Sequence, residues 1–350
     1  MENKRDWSID FIRILSCAMV VLGHSAAEDW YLFRPDTFNW GVLNFIDTLC
    51  RPSIPLFVMI SGYLFLRRKK FDYKKLWLSN IVHILIVYAV WVLFYAFVTP
   101  GLKRTLADPK AYLADITGLH PSFHLWYLRT LIYIYALIPL LWTLIHSMNE
   151  KLMRYFLILF MVFGILLPTL KDAFGLTSWI GRQIDLFGQM ELMGYTGYFI
   201  FGYLLAEKID SRRVSDRALL ITCLCSYILA AAGNQLISIK EGRGVEAFYS
   251  AFSLPVFIEA VCIFLLFTRR FSSAALSPKA AWWVRRLSES TLFIYLIHPF
   301  VIRRLEIYLN FRVTSINPLL GVPAMAIMVF IPSALIGMLI KRIPILNKIC

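Results

Sequence analysis

The stretch Trp7-Ser-Ile-Asp10-Phe-Ile-Arg13-Ile-Leu-Ser-Cys-Ala-Met-Val-Val-Leu-Gly-His24 decides how this chain folds. It is an apolar run close to the roughly 20 residues a helix needs to cross a bilayer. Yet it carries three ionisable side chains. Each costs about 2.5–3.5 kcal/mol at membrane depth on insertion scales, so such residues persist where they pair or perform chemistry. Asp10 and Arg13 are three apart, which lets them pair on one helix face. Arg13 and His24 are eleven apart. At about 100° and 1.5 Å per residue they share a face and lie roughly 16 Å apart along the axis. One face therefore carries a cation toward its N-terminal end and an imidazole toward the other. An interfacial Arg that snorkels, with a His at the opposite headgroup level, would give the same pattern without function.

Composition extends this reading to the whole chain. Apolar types make up 59% of the 350 residues and charged types 17%, with a mean hydropathy of +0.65. Soluble chains run near 45–50% apolar and about 25% charged. A soluble enzyme, a secreted disulfide scaffold and a disordered chain are excluded. The net charge of +14 comes from 36 Lys and Arg against 22 Asp and Glu. The basic residues fall between apolar runs, so they read as topology signals on the cytoplasmic side and not as a nucleic-acid surface. The six cysteines lie mostly inside apolar runs and show no metal or disulfide spacing. No cleavable signal peptide stands out, so the first helix is expected to persist.

Ten spans are expected, near 8–28, 48–66, 76–98, 124–146, 153–170, 192–206, 218–237, 248–268, 288–308 and 318–340. With both termini inside, the cytoplasmic segments hold most of the Lys and Arg. The expected fold is one all-α polytopic membrane domain over 1–350. Residues 99–123 and 171–191 form the longer outer segments, and the second, with Trp179, Arg182, Asp185 and Glu191, suits an interfacial helix.

Two further histidines sit in later spans. His124 opens the fourth in Phe123-His-Leu-Trp126-Tyr-Leu128, and His298 lies in the ninth in Ile294-Tyr295-Leu-Ile-His298-Pro299. In this topology His24, His124 and His298 share the outer half, so three imidazoles can line one cavity. No carboxylate or Cys accompanies them at ligand spacing, so no metal is expected. Glu28, four residues after His24, can orient its ring or simply be an interfacial carboxylate. The second span, Arg51-Pro-Ser-Ile-Pro55-Leu-Phe-Val-Met-Ile-Ser61-Gly62-Tyr63, holds two prolines and a glycine, which predicts a bent or interrupted helix. Ser61 is a potential nucleophile without a nearby base; the Ser-Gly pair equally suits close helix packing. Arg67, Arg68, Lys69 and Lys70, with Lys74 and Lys75, form a basic cluster just inside the membrane. It suits anionic lipid or a phosphorylated ligand.

Together these motifs resemble the bacterial integral-membrane acyltransferase-3 family of O-acyltransferases. The family's first helix carries Asp-x-x-Arg and Arg-x10-His, here Asp10, Arg13 and His24. Its second carries a Pro-Leu-Phe-Phe-x-x-Ser-Gly stretch, similar to Pro55–Tyr63. His-Leu-Trp-Tyr-Leu matches His124–Leu128, and Ile-Tyr-x-x-His matches Ile294–His298. The chain is most similar to the compact branch of the enterobacterial common antigen O-acetyltransferase. An Arg-x-x-Arg pair found at the third helix of some members is absent; Lys74-Lys75 stands there.

The resemblance implies transfer of an acyl group, acetyl by default, from cytoplasmic acyl-CoA to a hydroxyl of a surface glycan or related acceptor. It also implies a multi-pass protein of the bacterial cytoplasmic membrane. A neutral histidine, with an ordinary pKa near 6.5, serves as base at physiological pH, and His24 is the candidate. Arg13 would hold the donor, with Asp10 fixing its rotamer. Arg67, Arg68, Lys69 and Lys70 would contact the nucleotide phosphates. His124, Trp126, Tyr295, His298, Ser61 and Glu28 are candidates for the acceptor site or the oxyanion. The competing class is a transporter or flippase for a glycan or small metabolite, because intramembrane charges and bent helices are common there. Against it, no pair of similar halves is detected.

Overall fold

The computed structural model describes residues 5–98, 123–176, 191–344 and the single positions 181 and 347. Most of the expected interfacial segment 171–191 and most of the outer segment 99–123 lie outside them. The described residues form helices: α1 Trp7–Trp30, α2 Phe38–Cys50, α3 Ser53–Leu66, α4 Tyr73–Val98, α5 Phe123–Ser147 and α6 Glu150–Ala173 come first. They are followed by α7 Glu191–Glu207, α8 Asp216–Glu241, α9 Leu254–Phe271, α10 Pro278–Leu309 and α11 Pro318–Ile340. Seven units are long and apolar enough to cross a membrane: α1, α2 with α3, α4, α5, α6, α8 and α11. The three other expected spans coincide with α7, α9 and α10. Of these, α7 has only 17 residues, while α9 and α10 carry clusters of charge such as Arg269-Arg270 and Arg285-Arg286.

Helix α1 is the hub. It packs against α2, α3, α9, α10 and α11, which is why a helix carrying Asp10, Arg13 and His24 is tolerated. Its polar groups face protein, whereas α6 and α8 turn most of their surface outward. Asp6 starts α1 by accepting from the Ser8 amide at 3.1 Å, a cap of about 1 kcal/mol.

The second span departs from expectation. Its break falls at Arg51–Pro52, and a full helix, α2, precedes it in what reads from sequence as an outer loop. Pro52 has no N–H to continue the ladder, so the chain tightens with Arg51 N donating to Thr48 O at 3.2 Å and restarts as α3. Beyond Pro55, α3 runs unbroken through Gly62. There the Ser-Gly pair does the packing expected of it. A Cβ on Gly62 would stand 1.7 Å from the Phe199 carbonyl oxygen, and one on Gly202 would stand 2.2 Å from that of Met59. The two glycines let α3 and α7 touch backbone to backbone, the small-residue route to helix association in lipid.

Candidate functional site

Helices α1 and α10 bring His24 and His298 together. His24 Nδ1 lies 2.6 Å from His298 Nε2, and the rings stack at 4.9 Å with 12° between planes. The other nitrogen of His298, Nδ1, lies 2.6 Å from the Tyr295 carbonyl oxygen. A carbonyl only accepts, so this nitrogen carries the proton. In neutral His298, Nε2 is then an acceptor, and His24 must donate to it from Nδ1. His24 Nε2 is left with its lone pair, no hydrogen-bond partner among the described residues, and a place in a cavity wall.

The sequence explains why the Tyr295 carbonyl is available. In a regular helix it would accept from the amide four residues on, and that residue is Pro299, inside α10. The Ile294–Pro299 motif therefore fixes a tautomer as well as supplying a ring. His124 closes the arrangement from α5. Its Nε2 is 3.2 Å from the Leu296 carbonyl, which also accepts from Tyr95 Oη at 2.7 Å, and Tyr295 Oη donates to the His124 carbonyl. The rings of His124 and His298 lie 5.4 Å apart.

The three imidazoles do converge, as their depth suggested, but only His24 lines the cavity. His124 and His298 are fully buried behind it, with ring nitrogens committed to backbone or to His24. Neither ring is among the residues that line the cavity. Glu28 does not orient His24 either. It points out to solvent, while His298 takes the orienting place.

The cavity around His24 measures about 370 Å³ and includes Trp126, Tyr195, Tyr295, Asp47, Arg51 and Glu246. A second cavity of about 400 Å³ opens toward the other end of α1 and contains Arg13, Ser61, Asn80, His83, Glu289 and Lys341. Tyr295 lines both, so the two cavities share this residue in their walls. Asn80 reaches the second cavity from a π-helical stretch of α4, Leu76–Ile81, the kind of irregularity that re-aims side chains at functional sites.

The expected Asp10–Arg13 pair is not formed. Asp10 is buried and held instead by Arg5, whose Nε and terminal nitrogen lie 2.7 and 2.8 Å from its oxygens. Arg5 precedes the helix, so its guanidinium can approach as a two-pronged fork that an i, i+3 partner cannot match. Arg13 therefore makes no ion pair among the described residues and projects into the second cavity. Ser61 lines the same cavity, its hydroxyl spent on the Phe57 carbonyl at 2.9 Å. Among the described residues its hydroxyl bonds to no histidine or carboxylate.

Arg67, Arg68, Lys69 and Lys70 lie beyond this cavity. Arg67 donates to Tyr63 Oη at 2.6 Å, Arg68 covers the Phe65 ring at 4.5 Å, and Lys69 and Lys70 are exposed. None is among the residues lining the Arg13 cavity. Sequence reasoning missed Asp47, Arg51, Glu246 and Tyr249. The signal was present: Asn44, Asp47 and Arg51 follow helical spacing and would sit on one face once α2 is read as a helix. No cluster of three or more metal-ligating side chains occurs among the described residues.

An imidazole lines one cavity, an arginine the other, and Tyr295 lines both, all within a bundle of apolar helices. The profile of the acyltransferase domain family matches residues 6–338, and the chain belongs to that family. It is a multi-pass membrane acyltransferase by family and fold. No curated protein and no solved structure matches it.

Proposed function

We propose that this protein is an O-acyltransferase that takes an acyl group, acetyl by default, from acyl-CoA in the Arg13 cavity. It delivers the group to a hydroxyl of a surface glycan or related acceptor in the His24 cavity. The observation that carries the reading is the chain His24–His298–Tyr295 carbonyl, which leaves His24 Nε2 as a proton acceptor in a cavity wall. Helix polarity supports the division. The Arg13 cavity gathers residues from the N-terminal half of α1, from α4 and from the C-terminal cap of α11, while the His24 cavity gathers the C-terminal half of α1. With ten crossings and both termini in the cytoplasm, Arg13 faces the donor side and His24 the outer side of a bacterial cytoplasmic membrane.

With the donor's pantetheine arm reaching past Tyr295 to bring the thioester to His24, the acceptor hydroxyl oxygen attacks the thioester carbonyl carbon while its proton passes to His24 Nε2. The C–O bond forms, the C–S bond breaks, and the proton on His24 goes to the departing thiolate. General-base action of this kind contributes about 10²–10⁴-fold. His298 holds the tautomer and shares the charge that develops on His24. Arg13 pairs with the donor's phosphates, and the Arg67–Lys70 cluster attracts the anion from a distance.

Equilibrium binding of acetyl-CoA to the detergent-purified protein tests the reading. Wild type binds, Arg13→Ala binds at least about tenfold more weakly because a charge-assisted contact is lost, and His24→Ala binds as wild type does. Absence of binding in all three folded proteins refutes the acyltransferase reading and favours transport.

A further inference from the structure

The His24 cavity contains a second built feature, and its chemistry speaks to what the acceptor is. Arg51, at the α2–α3 break, points into the cavity from the wall shared with Asp47. One terminal nitrogen is bonded to Asp47, four residues earlier, and the guanidinium lies 3.9 Å over the Tyr249 ring. Tyr249 is itself fixed: its hydroxyl donates to Asn44 Oδ1 at 2.7 Å, and Asn44 Nδ2 donates to the Ala231 carbonyl of α8 at 2.9 Å. Asn44, Tyr249 and Asp47 are all buried. A cation clamped on two sides has little conformational freedom left, so its remaining donors are aimed. Arg51 Nε is buried and has no hydrogen-bond partner among the described residues. A partnerless buried donor is unfavourable, a cost that a bound oxygen atom removes.

The rest of the lining sets the charge. Glu246 stands at the cavity with Tyr31 Oη donating to it at 2.7 Å. Two carboxylates and one guanidinium line the cavity, and the guanidinium is already paired with Asp47, which leaves Glu246 without a cationic partner in the lining. A carboxylate or phosphate brought here meets repulsion in a low-dielectric setting. An uncharged ring bearing hydroxyls meets acceptors in Asp47 and Glu246, a donor in Arg51, and the flat faces of Trp126 and Tyr195.

We propose that Arg51 is the acceptor-positioning residue of this site, donating from Nε to an oxygen of an uncharged, hydroxyl-rich acceptor, and that Asp47 and Glu246 exclude acceptors bearing a carboxylate or phosphate. The inference rests on the reading of the His24 cavity as the acceptor side.

The test is calorimetric titration of the full-length protein, purified in a detergent without a sugar headgroup. The ligands are the methyl glycosides of glucose, galactose and N-acetylglucosamine, set against methyl glucuronide and glucose 1-phosphate. At least one neutral glycoside binds saturably and the two anions do not. Arg51→Lys, which keeps the charge but loses the fixed donor, weakens that binding at least about tenfold and leaves acetyl-CoA binding unchanged, which also certifies the fold. Glu246→Gln, at the cavity rim, raises methyl glucuronide binding to a measurable level. No binding by any neutral glycoside, equal binding by the anions, or an unaffected Arg51→Lys overturns the proposal. Loss of acetyl-CoA binding in wild type would instead refute the donor assignment while leaving the glycoside titration to be read by itself.

Discussion

The two cavities that meet at Tyr295 are of similar size and differ in how their charges are held. Around His24 the charged groups and the imidazole have fixed partners within the protein: His24 with His298, Arg51 with Asp47 and Tyr249, Glu246 with Tyr31. Around Arg13 the central cation has none among the described residues, while Glu289 is engaged by Arg285 and Arg286 outside the cavity. The first arrangement is organised for chemistry before any ligand arrives. The second is organised for capture, because a cation without an internal partner gains most from an incoming anion.

Three changes would break or sharpen this contrast. The largest effect is expected from His24→Ala. Single-turnover transfer should fall about 10²–10⁴-fold with acetyl-CoA affinity intact; parallel loss of both would mean that the cavities are one site. A smaller effect is expected from Pro299→Ala. The new amide competes with His298 Nδ1 for the Tyr295 carbonyl, so the imidazole pair loses its fixed tautomer. Transfer should drop roughly tenfold, the general-base contribution being only partly lost, while thermal stability is unchanged or raised by the restored helix bond. A rate equal to wild type would show that the proline has no part in ordering the ring. The smallest effect is expected from replacing Arg67, Arg68, Lys69 and Lys70 together by Gln. Because these side chains do not line the Arg13 cavity, acetyl-CoA affinity at high salt should change by less than about threefold. Association at low salt should slow, as for any steering charge. A large affinity loss at high salt would return these residues to direct phosphate contact.

The spans were legible because hydropathy over about 20 residues is a strong signal; the expected 318–340 and α11 share their bounds. Helix α2 was not, because thirteen residues with Asn44 and Asp47 among them fall short of a crossing and resemble a loop. His24 was singled out by its spacing to Arg13. Its partner was not: His24 and His298 are 274 residues apart, and only the packing of α10 on α1 makes them neighbours. Asp10 was assigned to the nearest cation in helical register. Arg5, free of that register, supplies the better geometry.

The wall that the two cavities share at Tyr295 has an electrical consequence. On the proposed topology, water in both cavities would carry each side's potential deep into the protein. The membrane voltage would then fall across the residues that separate the cavities, Tyr295 among them, instead of the full hydrocarbon thickness. Carrying one elementary charge through the whole voltage is worth about 2.3 kcal/mol per 100 mV. A proton crossing from one cavity to the other would meet most of that difference. An acyl group carries no charge and would meet almost none of it, so the same wall can pass an uncharged group while standing as the barrier that keeps the membrane energised.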